Sequence, residues 1–322
     1  MPKHLAVRKH FVALSCIFVI LSLSKGLAAD DPTPSLLVAT PTFLVYAEGE
    51  RRNAAVASGG STGYRILGAI ADGSVLVGYD DGLFGAVETV APNLQSRKVK
   101  TFPRGTALFR GEEGFLAYEP SSQLLRRYDA RGALVGAPAP ALGVREALGI
   151  GDAMVTLGSG RLRVWDRNGR VQRDVLLDGN SLVPLPEGRF AVNDTRDGEV
   201  RAYTTALEQT ATLRYVGLPA RALASAPDGT LAVLAGTPGC TLPVAEIDVF
   251  TDLHAQPVAR IHENVTSTTA IAIGADFVYA VNAPCRSGED GSIAVFSRTG
   301  DQRGIMRSLG TPTSLLPFTA KR

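Results

Sequence analysis

The feature that most constrains this chain is a phrase that returns at a steady interval, a turn bearing Gly or Asp followed by apolar residues at alternate positions. It reads "ADGSVLVGY" at 71–79, "EEGFLAYE" at 112–119, "PEGRFAVND" at 186–194 and "PDGTLAVLA" at 227–235, with weaker copies "GDAMVTL" at 151–157 and "GADFVYAV" at 274–281. With Gly73, Gly114, Gly151, Gly188, Gly229 and Gly274 as markers, the steps are 41, 37, 37, 41 and 45 residues. A turn glycine ahead of a period-2 apolar run is what a tight β-hairpin requires. A second phrase keeps nearly the same beat: "LLRRYDARG", "LRVWDRNG", "EVRAYTTA", "EIDVFTDL" and "SIAVFSRTG" place Tyr128, Trp165, Tyr203, Phe250 and Phe296 at steps of 37, 38, 47 and 46 residues.

Four short strands in each unit of about 40 residues match a β-propeller blade, whereas a helical array of similar period would space its apolar residues at 3.6. The strand signals divide into six nearly complete blades, at 64–102, 103–143, 144–179, 180–219, 220–266 and 267–309. Two fragments remain. "PTSLLPF" at 312–318 reads as an innermost strand with no second strand after it, and "PTFLVYAEG" at 41–49 reads as a second strand lacking its first. Joining them completes a seventh blade and removes the exposed sheet edges of an open ring. The expectation is therefore an all-β chain forming one β-propeller, with seven blades of four-stranded antiparallel sheet closed by N- and C-terminal strands. Six blades is the alternative. Trp165 and Asp166 look like a WD-repeat dipeptide, but no earlier Gly-His accompanies them, and the aromatic of each unit reads as a packing residue between blades.

These phrases, "PDGTLAVL" and "IDVF" among them, resemble the NHL-type and related bacterial β-propeller repeats across essentially the whole of residues 30–322. That superfamily includes binding scaffolds, lactonases and lyases, so function rests with the site and not with the fold. The resemblance also implies where a ligand would sit. The loop entering the first strand of each blade and the loop joining its second and third strands open on one face, around the central channel.

Residues 1–29 read as a secretory signal peptide and 30–322 as the propeller domain. Lys3, Arg8 and Lys9 precede the apolar "FVALSCIFVILSL", and small residues then lead into "ADD". The apolar run falls short of the roughly 20 residues a membrane-spanning helix needs, so the expectation is a secreted or periplasmic protein with no membrane insertion after cleavage. Cleavage removes four of the 33 basic residues and leaves 29 against 31 acidic ones. Nothing in that balance points to nucleic acid. Cys240 and Cys285 lie 45 residues apart, at equivalent places in consecutive blades. In an oxidising compartment the pair is expected to form a disulfide clamping two long loops.

The first candidate site is a partial ring of guanidinium groups at the channel mouth. Arg65 and Arg221 each precede their turn glycine by eight residues, Asn180 holds the same place in its unit, and Arg145 and, less well aligned, Arg104 also open first strands. Such a ring suits a carboxylate or phosphate through paired hydrogen bonds, unless each arginine pairs with a neighbouring acidic loop. The second candidate is a set of oxygen ligands where second strands end on the same face: Glu119, Asn193, Asp194 and Asn282, with Glu48, Asp80 and Asp81 nearby. These could converge on calcium, as in propeller lactonases, although Asp and Asn are also ordinary strand-end residues.

Other chemistries lack their residues. His254 and His262 have no intervening Glu of the propeller-lyase kind, no G-x-S-x-G elbow is present, and one Trp cannot frame a quinone. Two functions follow. The first is an exported, non-enzymatic propeller without a cofactor, binding a protein, peptide or glycan, or an anionic small molecule. The alternative is a metal-dependent lactonase-like hydrolase.

Overall fold

A computed structural model describes residues 34–41, 44–48, 51–54, 62–80, 83–215, 218–237, 239, 244–286, 291–307, 312 and 314–318. The three N-terminal strands β1 (Ser35–Ala39), β2 (Leu44–Glu48) and β3 (Arg51–Ala54) belong to a blade whose innermost strand arrives last in the chain. Blade one is β4 (Thr62–Ala69), β5 (Val75–Asp80), β6 (Phe84–Val90) and β7 (Ser96–Pro103). Blade two is β8 (Ala107–Arg110), β9 (Gly114–Glu119), β10 (Leu124–Asp129) and the short β11 (Ala139–Pro140). Blade three is β12 (Val144–Ile150), β13 (Ala153–Gly158), β14 (Arg161–Trp165) and β15 (Val171–Leu176). Blade four is β16 (Leu182–Leu185), β17 (Arg189–Asp194), β18 (Glu199–Thr204) and β19 (Gln209–Arg214). Blade five is β20 (Ala220–Ser225), β21 (Leu231–Thr237), β22 (Val244–Phe250) and β23 (Ala259–Ile261). Blade six is β24 (Thr268–Ile273), β25 (Phe277–Asn282), β26 (Ser292–Ser297) and β27 (Gln302–Met306). β28 (Ser314–Pro317) then supplies the inner strand of blade seven, in the order β28-β1-β2-β3.

Each of the seven sheets has four strands, and the seven innermost strands touch in sequence around a closed ring: β4, β8, β12, β16, β20, β24, β28 and back to β4. Seven blades are thus present, not six. Closure corrects one detail of the sequence reading, because Leu44–Glu48 is the third strand of its blade and not the second. The second strand is "SLLVA", which pairs with β28 through Leu37↔Leu316 and Val38↔Leu315. Packing on both faces selects it: Leu36 and Val38 meet blade six, while Leu37 and Ala39 meet blade one.

The core consists of seven apolar clusters, one between each pair of neighbouring blades. Second strands are buried along nearly their whole length because a blade has neighbours on both faces, whereas fourth strands such as β15 are mostly exposed at the rim. The recurring aromatics sit in these seams. Trp165 packs against Phe109, Leu116 and Tyr118 of blade two, and its Nε1 donates to Thr156 Oγ1 at 2.8 Å. Tyr203, Phe250 and Phe296 likewise pack against the preceding blade. The marker glycines fall into two kinds. Gly73 has φ of +83°, as a turn glycine should, but Gly114 begins a strand and is required because a Cβ there would lie 2.1 Å from the carbonyl oxygen of Tyr128.

Candidate functional site

The antiparallel order places two kinds of loop on one face, those entering first strands and those joining second to third strands. The short hairpins lie on the other face. Arg65, on β4, reaches across Phe109 of blade two, with its guanidinium carbon 5.4 Å from the ring centre, and pairs with Glu146 of blade three at 3.5 Å. Burial raises the pKa of Glu146, and the charge of Arg65 works against that rise. Arg145 pairs with Asp178 at 3.0 Å. Arg221 donates to the carbonyl of Gly236 and, at 3.5 Å, to Thr237 Oγ1. The mouth arginines are therefore held by neighbours. Arg65 and Arg145 still keep side-chain exposures of 48% and 49%, so both ion pairs lie within reach of solvent.

The oxygen-bearing residues at the ends of second strands are engaged by groups of their own and neighbouring blades. Asn193 is wholly buried; its Oδ1 accepts from the backbone N–H groups of Asn180 at 3.0 Å and Ser181 at 2.8 Å. Its Nδ2 donates to Asn180 Oδ1 at 2.5 Å and to the carbonyl of Ala220 at 3.2 Å. Asn282 does the same work two blades on, donating to the Asn264 carbonyl and accepting from Thr268 Oγ1, both at 2.7 Å. Both asparagines clasp the segment that leads into a first strand. Asp194 is bound by Arg201 at 3.1 Å, and Glu119 by Arg126 at 2.6 Å. Burial opposes the charge on Arg201, but hydrogen bonding to Glu199 and the charge of Asp194 prevail and hold its pKa above the ordinary value.

Glu119 stands on blade two, Asn193 and Asp194 on blade four and Asn282 on blade six, each at the end of a second strand. Among the described residues no group of three or more His, Cys, Asp or Glu is placed to hold a metal ion. Asp81 and Cys240 lie outside the described residues, as do residues 1–33 and with them the expected signal peptide.

Two features escaped the sequence reading. At the hairpin end of the channel a cavity of about 220 Å3 is lined by Arg110, Glu112, Leu148, Ile150, Pro184 and Leu185, among others. A groove of about 520 Å3 runs between β19 and the β22–β23 hairpin at the rim of blades four and five. Asp248, 3% exposed, faces this groove with Arg260 Nε 3.7 Å away, and its Oδ1 has no hydrogen-bond partner among the described residues. Burial, reinforced by the charge of Glu246, pushes the Asp248 carboxyl up to about 6.

These observations define a seven-bladed β-propeller. No protein-family model and no curated protein matches the sequence, so the NHL-type likeness remains one of repeat pattern. Solved structures agree on the fold. The chain is similar to the periplasmic gluconolactonase PpgL of Pseudomonas aeruginosa, with a TM-score of 0.65 and 15% identity over 90% of this chain and 100% of that one. It is also similar to apo AztD from Citrobacter koseri, with a TM-score of 0.57 and 10% identity over 88% and 97% of the two chains. The C-terminal WD40 domain of Sif2 gives a TM-score of 0.54 and 14% identity over 77% and 75%.

Proposed function

We propose that this chain is an exported, non-enzymatic propeller that binds a protein, peptide or glycan on the loop face around its channel. One observation carries the reading: at that face Arg65 with Glu146 and Arg145 with Asp178 form solvent-accessible ion pairs, while of the oxygens suited to a hard cation those of Asn193 and Asn282 accept from neighbouring groups and those of Glu119 and Asp194 pair with arginines. Accessible ion pairs can be exchanged for a partner's groups at modest cost, and loops on a rigid scaffold are where propellers carry recognition. Export is supported by the leader-like opening and by the likeness to a periplasmic propeller. A Cys240–Cys285 disulfide belongs to the same reading; it would brace the loops that follow β21 and β25 beside this face.

The second reading, a calcium-dependent lactonase-like hydrolase, draws on the structural likeness to PpgL. Calorimetric titration of calcium into the mature chain separates the two. The binding-protein reading expects no heat of association at millimolar calcium. A saturable site lost in Glu119→Gln with Asp194→Asn would establish the hydrolase reading instead.

A further inference from the structure

We propose that the channel carries, at its hairpin end, a binding site for a small monocarboxylate, with the Arg110 guanidinium gripping the carboxylate and apolar walls enclosing the rest of the ligand. The site lies at the opposite end of the channel from the loop face and does not rest on the function proposed for that face.

Arg110 ends β8, where its backbone is in register with Phe115, and its side chain makes no hydrogen bond or ion pair with any described residue, in contrast to Arg65, Arg145 and Arg221. It is open to the channel yet crowded by its walls: a Cβ on Gly68 of blade one would lie 3.5 Å from both Arg110 Cγ and Nε. Crowding lowers its pKa, and the nearby charge of Glu112 only partly restores it. Glu112 is held elsewhere. Its Oε2 accepts the N–H of Gly151 at 2.7 Å and its own N–H donates to the Gly149 carbonyl at 3.1 Å, which ties the carboxylate to blade three. An accessible guanidinium without a protein partner keeps its planar fork free, and a carboxylate entering it would gain two parallel hydrogen bonds beside the apolar walls.

The surrounding chemistry narrows the ligand. Leu148, Ile150, Pro184 and Leu185 form apolar walls, and the volume of about 220 Å3 equals roughly seven water molecules. Arg110 is the one cation among the lining residues, against Glu112 and Glu187, so it can match one carboxylate on a short apolar body but not a dicarboxylate or phosphate.

Titration of the mature chain with butanoate and with the uncharged butanamide tests the site. Butanoate should bind at least about tenfold more tightly than butanamide, Arg110→Gln should abolish that preference, and Arg173→Gln at the exposed rim should keep it. Arg110 supports no ion pair, so the glutamine variant should melt at the wild-type temperature. Butanoate should also slow modification of Arg110 by phenylglyoxal in the unsubstituted protein without slowing that of Arg173, as mapped by mass spectrometry. Equal binding of acid and amide, no butanoate binding at millimolar concentration, unchanged binding in Arg110→Gln, or preference for inorganic phosphate would each overturn the assignment.

Discussion

Asp248 shows how one side chain imprints a pH dependence on the whole ring. Its neighbours are Glu246 on the same strand, Arg260 across the ladder, His262 just beyond and Tyr215 from blade four. Its pKa rises from 3.8 in the unfolded chain to about 6 in the fold, so the folded state prefers the proton. The associated stability is fully present below pH 4 and is lost as pH rises through 6. Asp248→Asn cannot ionise and escapes this loss. Urea denaturation should find the variant more stable than wild type by on the order of 1–3 kcal/mol at pH 8, with the difference vanishing near pH 4. A constant difference across that range would show that the carboxylate does not titrate with folding. At the same scale, Arg110 was legible in principle. "ALFR" ends an inner strand on a charge where β4, β12, β20 and β24 end on Ala69, Ile150, Ser225 and Ile273. The beginnings of inner strands carry the ion pairs of Arg65 and Arg145, while Arg110 stands at an end.

Among elements, the second and third strands were readable because both faces are packed, so their apolar runs are dense and their turns carry glycine. Fourth strands such as β15 face solvent and leave little hydrophobic signal, and β11 shrinks to two residues where prolines remove backbone donors. The closing blade was misread by one strand because "SLLVA" follows soon after the leader-like segment, where an apolar run of four does not stand out. That strand now carries a prediction. Leu37 is fully buried opposite Leu316, between the two chain ends and against blade one. Leu37→Ala should cost about 2–5 kcal/mol, whereas Leu176→Ala, at a side chain 74% exposed on the rim, should cost under about 0.5 kcal/mol. Equal losses in denaturation midpoint would remove β1 from the core. The recurring Asn at second-strand ends was legible as a pattern, but sequence could not distinguish a cation ligand from a clasp, since both need the same side-chain oxygen.

The molecule as a whole depends on closure: seven blades make a ring only because β28 from one end of the chain and β1 to β3 from the other share a sheet. The channel and both of its mouths depend on that join, as do the seams in which Trp165 and its counterparts pack. Leu37 and Leu316 are direct cross-strand partners, and antiparallel partners lie at a separation a disulfide can span. The decisive measurement is non-reducing peptide mapping of a Leu37→Cys, Leu316→Cys double variant after mild oxidation. Closure as described predicts a single linked peptide joining positions 37 and 316, with a raised denaturation midpoint that falls on reduction. Free thiols at both positions in a folded protein, or a link from either position to Cys240 or Cys285 instead, would contradict it.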